Sequence, residues 1–181
     1  AIAVGYSMGG PIAQLLWRRH PKMVEGLVLC ATAARFSERR NGRALNGVVS
    51  GLSFATRIAP PSVNRRVSER VLVSKYDTTP LGNWARQQAR LNDLRTMLES
   101  GHEVASYDAT DWISSINVPT AVVLTTRDET VSPHRQRQLA DTISNATVFE
   151  VNGRHDICAT RPERFADVLM DACQDVASRL S

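Results

Sequence analysis

An α/β fold on a parallel sheet is predicted for this chain by three observations. Short apolar runs without polar alternation recur along it, helical segments separate most of them, and the first run enters a helix through a glycine-flanked turn. Unbroken apolar runs suit strands covered on both faces, and strands joined through helices pair in parallel by right-handed crossovers.

The first run, Ala1-Ile2-Ala3-Val4, leads into Gly5-Tyr6-Ser7-Met8-Gly9-Gly10. In the spacing G-x-S-x-G both outer positions, Gly5 and Gly9, are expected to be small, because strand and helix backbones come close and the strained turn exposes the serine hydroxyl. The turn also carries the backbone N–H of Met8 to the start of a helix, where free N–H groups and the helix dipole favour an oxyanion. On its own the pattern also suits a serine that merely caps a helix.

From Met8 to His20 the residues Ile12, Leu15 and Leu16 follow helical spacing, and Pro21 disfavours helix at the residue before it. Leu27 to Ala34 reads as a second strand, Thr120 to Thr125 as a third, set off by Asn117-Val118-Pro119, and Thr147 to Val151 as a fourth. Between the last two, Ser132 is placed to cap a helix with Pro133 at its first position, and Leu139, Ala140 and Ile143 form its inner stripe. In the final helix Thr160 and Glu163 have capping-box spacing, and Phe165, Val168, Leu169, Ala172 and Val176 share one face.

The interval from Arg35 to Ile116 breaks the alternation. It holds glycines at 42, 47 and 51, the pair Pro60-Pro61, and a helical stretch with Trp84, Leu91, Leu94 and Leu98 on one face. A mostly helical insertion between two strands reads as a lid over the strand ends, where active-site loops gather. The expected division is 1–34 for the core with the serine turn, 35–115 for the lid insertion and 116–181 for the rest of the core.

Composition narrows the function. At 181 residues, 43% hydrophobic and 22% charged, the chain is an ordinary globular domain with room for a substantial core. The net charge of +4 is carried almost wholly by arginine, with Lys22 and Lys75 the two lysines. Arg18-Arg19, Arg39-Arg40 and Arg65-Arg66 are scattered among acids without interleaved aromatics, so nucleic acid is not an expected partner. No apolar run is long enough for an integral membrane helix. Cys30, Cys158 and Cys173 have neither zinc-site nor disulfide-framework spacing, no metal or cofactor is called for, and reduced cysteines suit a cytoplasmic location. Cys30, inside an apolar run, reads as a small buried hydrophobe.

A serine hydroxyl needs a base within hydrogen-bond reach and an acid to orient that base. Asp128 follows the third strand in Arg127-Asp128-Glu129-Thr130-Val131-Ser132-Pro133, and His155 follows the fourth in Asn152-Gly153-Arg154-His155-Asp156. Ser, Asp and His thus occur in the order of the nucleophile-elbow enzymes, each after its own strand. The rival histidines are His20 before a proline, His102 in the insertion and His134 on a surface helix; the rival acids are Glu129 and Asp156.

With these motifs the chain resembles the α/β-hydrolase superfamily, in particular its lid-bearing bacterial esterase-like members. The resemblance implies Ser7 as nucleophile, Met8 N–H as an oxyanion donor, Asp128 as the acid of a D-x-x-V-x-P loop and His155 as the base. It implies a small-molecule ester or related acyl substrate. Relatives that bind ligands without turnover, acyltransferases and carbon-carbon bond hydrolases share the same elbow and stay open as alternatives. In this superfamily several strands precede the elbow strand, and an earlier loop supplies the second oxyanion N–H. The chain is therefore expected to be the last four strands of a larger hydrolase, lacking the N-terminal half of the domain and weakly active or inactive alone.

Overall fold

The computed structural model describes residues 1–36, 83, 87 and 94–180. The chain divides into two compact units, Ala1–Phe36 with Tyr107–Ser181, and Ser37–Ser106. The first unit opens with β1 (Ile2–Tyr6), α1 (Gly9–Arg19) and β2 (Gly26–Cys30). Within the second unit α2 (Leu94–Ser106) is described. The first unit then resumes with a 3-10 turn at Ile113–Ser115, β3 (Thr120–Thr125), α3 (Pro133–Thr142), β4 (Ala146–Val151), the short α4 (Ile157–Thr160) and the closing α5 (Pro162–Ser178).

The strands form one parallel sheet in the order β1-β2-β3-β4, with Val4 opposite Val28, Val28 opposite Ala121 and Val122 opposite Val148. Every residue of β2 and β3 is buried, because helices cover both faces of the two central strands. On one face Ala13 and Trp17 of α1 and Leu139 and Ala140 of α3 pack with Leu27, Leu29 and Val122. On the other, Phe165, Ala172 and Val176 of α5 pack with Val28, Cys30, Ala121 and Val123. Placement of α1 and α3 on the same face is what crossovers of one hand stepping in one direction produce.

Three local expectations need correction. The apolar run after Gly26 outlasts its strand: β2 ends at Cys30, because Ala31 takes a left-handed backbone (φ 48°) and turns the chain out of the sheet. The capping box of the last helix does not form, since α5 starts at Pro162 and the Thr160 hydroxyl donates to Asp156 O (3.1 Å) inside α4. Pro133 does open α3, but Ser132 makes no side-chain capping bond.

Residues Tyr107 to Ser115, grouped by sequence with the insertion, lie in the first unit. Ala109, Ile113 and Ile116 are buried in its core, and Ala109 N donates to Ala34 O (2.8 Å), closing the base of the insertion. Trp84 and Leu91, two residues of the stripe expected in the lid, lie outside the described residues. Among the described residues no helix is long and apolar enough to cross a membrane. Cys30, Cys158 and Cys173 are free thiols, and burial pushes Cys30 up to about 12.

Candidate active site

Ser7 sits between β1 and α1 with φ 51°, a left-handed backbone that costs a non-glycine residue roughly 1 kcal/mol or more. The surroundings hold it there: Ser7 N donates to Cys30 O (2.9 Å), and Ser7 O accepts from Gly10 N (3.0 Å) and the Thr32 hydroxyl (2.9 Å). The sharp turn brings strand and helix together at Gly5, where an added Cβ would lie 2.3 Å from Gly9 O and 2.8 Å from Gly10 N.

The reading of Gly9 as sterically required is overturned, because an added Cβ there meets nothing within 4 Å. It is the Gly9 backbone, not its missing side chain, that crowds Gly5. The second tight position is Gly10, whose Cβ would fall 2.1 Å from Thr32 Oγ1. Gly5→Ala is therefore expected to destabilise by at least the roughly 1–3 kcal/mol typical of overpacking. Gly9→Ala should be neutral or stabilise by up to about 1 kcal/mol through helix propensity. Urea unfolding of the two variants checks the contrast, and equal losses would refute it.

Ser7, Asp128 and His155 come from the carboxyl ends of β1, β3 and β4. Strands β1 and β4 are three spacings apart, about 14 Å, so the loop after β4 must reach back across the sheet. Tyr6 secures that reach. Its hydroxyl donates to His155 O (2.5 Å), and its ring lies between the His155 imidazole (centroids 5.9 Å apart) and an edge-on contact with Phe165 (5.2 Å). Burial raises the Tyr6 pKa well above the ordinary phenol value, so it remains a donor. The acid loop and the histidine loop are also tied backbone to backbone, Thr126 N to Val151 O (3.1 Å) and Arg127 N to Gly153 O (3.0 Å).

The result is a continuous line of hydrogen bonds. Ser7 Oγ is 2.7 Å from His155 Nε2, and His155 Nδ1 is 2.7 Å from Asp128 Oδ2. The Asp128 side chain is fully buried, whereas that of His155 is 23% exposed. Asp128 Oδ1 accepts from Thr130 N and Val131 N (both 2.8 Å), and Oδ2 from Thr125 Oγ1 (2.8 Å) and Gln136 Nε2 (3.2 Å) besides the imidazole. Burial alone would raise the Asp128 pKa. The donors outweigh it, His155 first, then Val131 N–H, the Thr125 hydroxyl and Thr130 N–H, and hold the carboxyl below the usual carboxylate range. With an ionised acid on Nδ1, that nitrogen carries the proton and Nε2 is free to accept from Ser7.

Met8, half exposed, follows directly, and its N–H has no acceptor among the described residues. It opens the N-terminus of α1, a position that favours an anion. The rivals within the first unit stand elsewhere. Glu129 pairs with Arg154 on the surface (2.6 Å), Asp156 is exposed at the start of α4, and His20 and His134 are exposed. His102 lies on α2 in the second unit. No group of described residues is arranged to hold a metal ion.

Sequence reasoning missed Tyr6, Thr32, Thr125 and Gln136. Gln136 is fully buried on α3 and spans the acid loop, donating to Thr125 Oγ1 (2.8 Å) and Val131 O (2.7 Å) while accepting from Thr125 N (3.0 Å). The one available signal was a glutamine on the inner stripe of an amphipathic helix, three residues before Leu139.

A parallel sheet covered by helices on both faces, with a serine elbow after β1 and acid and histidine loops after β3 and β4, defines an α/β-hydrolase fold. The chain belongs to the family described as "Serine aminopeptidase, S33", whose family model matches residues 1–159. Solved structures share the fold. A hydrolase from Pseudomonas aeruginosa PA01 aligns with TM-score 0.74 at 18% identity, over 94% of this chain and 63% of that one. A thermophilic esterase from Thermogutta terrifontis gives 0.73 at 20% identity, over 97% and 65%. An enol-lactonase from Burkholderia xenovorans LB400 gives 0.70 at 23%, over 94% and 64%. The chain thus spans a little under two thirds of the length of these three. No match was found among curated proteins.

Proposed function

We propose that the protein is a serine hydrolase acting on a small-molecule carboxylic ester or related acyl substrate, with Ser7 as nucleophile, His155 as general base and acid, and Asp128 as the orienting carboxylate. The observation that carries this reading is the line from Ser7 Oγ through His155 to Asp128, with both contacts at 2.7 Å. A serine, an imidazole and a buried acid spaced this way are what nucleophilic acyl transfer needs.

In the proposed reaction His155 Nε2 takes the hydroxyl proton as Ser7 Oγ bonds to the substrate carbonyl carbon. The Met8 N–H donates to the oxyanion so formed. His155 then passes its proton to the leaving alcohol, which departs as the carbon–oxygen bond breaks and leaves an acyl-serine. Water, deprotonated by His155, repeats the attack and releases the acid, and Ser7 recovers its proton. Asp128 stays ionised throughout, stabilising the imidazolium. By resemblance to the superfamily, a second oxyanion N–H comes from another loop of the fold.

The family description favours a second substrate class, peptides with a free N-terminus. Both are tested on the full-length protein with p-nitrophenyl esters of graded acyl length, aminoacyl p-nitroanilides and a fluorophosphonate probe. Probe adduct on Ser7 with ester turnover is expected. Anilide turnover exceeding ester turnover would replace the ester reading with the peptidase one. Tight ligand binding without adduct or turnover, in folded protein, would overturn both in favour of a non-catalytic binding protein.

A further inference from the structure

We infer that Thr32 is a positioning residue for the oxyanion site, its hydroxyl locking the Ser7–Met8 peptide so that the Met8 N–H faces the substrate. The inference rests on the hydrolase reading above. In a trans peptide the C=O and N–H point in opposite directions, so whatever anchors Ser7 O also aims Met8 N–H. Among the described residues there is no cis peptide bond, and Ser7 O is held by two donors, Gly10 N–H at 3.0 Å and the Thr32 hydroxyl at 2.9 Å. The Gly10 bond is local to the turn. The Thr32 bond crosses from the neighbouring strand end, 25 residues away, and stops the peptide plane from rocking about its own axis.

The surroundings are shaped to deliver that hydroxyl. Thr32 is fully buried, so its side-chain oxygen needs a partner, and Ser7 O is the one described. Space for it exists because residue 10 is a glycine. The left-handed Ala31 ends β2 one residue earlier. The following residue is pinned to α1, Ala33 O accepting from Gln14 Nε2 (3.3 Å) while Gln14 Oε1 accepts from the Tyr107 hydroxyl (2.9 Å). A hydrogen bond on a carbonyl also polarises its peptide, which strengthens the N–H on the far side as a donor.

Thr32→Val removes the hydroxyl at nearly constant volume, and Thr32→Ser restores it. In the full-length protein Thr32→Val is expected to lower kcat for an ester roughly tenfold with KM little changed, the size of one neutral hydrogen bond expressed in the transition state. Thr32→Ser should recover most of it. A second readout needs no activity. Ser7–Met8 is the one Ser-Met pair among these 181 residues, so with ¹³C-carbonyl serine and ¹⁵N-methionine labelling its peptide cross-peak is identified by its loss in Met8→Leu. That peak should move in both carbonyl and amide dimensions in Thr32→Val and return in Thr32→Ser. An unmoved peak, or unchanged kcat in a variant of an active wild type, would overturn the inference. Wild-type protein inert to esters, anilides and the serine probe would instead overturn the hydrolase reading, leaving the cross-peak to decide whether Thr32 holds the peptide.

Discussion

Ser7→Ala is expected to cut ester turnover by a factor on the order of 10⁵ or more, and His155→Ala by a similar factor, in folded protein. The two act as a unit through one 2.7 Å hydrogen bond, so the double variant should be scarcely worse than either single one. The backbone tolerates the change: alanine already occupies a left-handed position at Ala31, 3° in φ from that of Ser7. Ser7→Gly should lose activity equally but unfold at higher urea than Ser7→Ala, because glycine relieves roughly 1 kcal/mol of left-handed strain. Initial rates and urea melts on these four variants check this. Turnover within tenfold of wild type in Ser7→Ala would remove the serine from the mechanism.

Asp128→Asn is expected to lower kcat by about 10⁴ through a change of histidine tautomer. Two of the five donors around the carboxylate are backbone N–H groups of Thr130 and Val131, which cannot turn. The asparagine oxygen must therefore face them, and its NH₂ must face His155 Nδ1. That nitrogen becomes an acceptor, the ring proton moves to Nε2, and Nε2 can no longer take the proton of Ser7. The same substitution changes the response to acid. Asp128 has a folded pKa below its unfolded value, so it contributes stability above about pH 4 that is lost as pH falls through the folded value. Wild type should therefore lose stability on acidification more steeply than Asp128→Asn. Parallel pH profiles of unfolding would contradict the ionised acid, and full activity in the variant would contradict its role.

Much of the fold was legible because its signals are short-range. Unbroken apolar runs announced β2 and β3, whose residues are all buried, and Pro133 and Pro21 marked helix boundaries from their own backbone limits. Where a long-range contact competed, local reading failed. The run after Leu27 looks like strand through Ala34, yet the contacts of Thr32 and Ala33 with the elbow and α1 take the chain out of the sheet. Thr160 and Glu163 have the right spacing for a cap, but Pro162 restarts the helix between them. Gly9 fits the motif, although only the three-dimensional structure distinguishes a glycine that needs no side chain from one whose backbone is the obstacle.

From the sequence alone came the parallel α/β architecture, the serine turn, and the succession of Ser7, Asp128 and His155 after separate strands, because periodicity, turn chemistry and strand-end loops are written within a few consecutive residues. Tertiary structure decided that these three side chains meet in one line, that Tyr6 tethers a loop 149 residues further on, and that Thr32 and Gln136 hold the peptide and the acid in place. Those contacts depend on the spacing of strands and the depth of packing between distant segments, and no local pattern encodes a distance across a sheet.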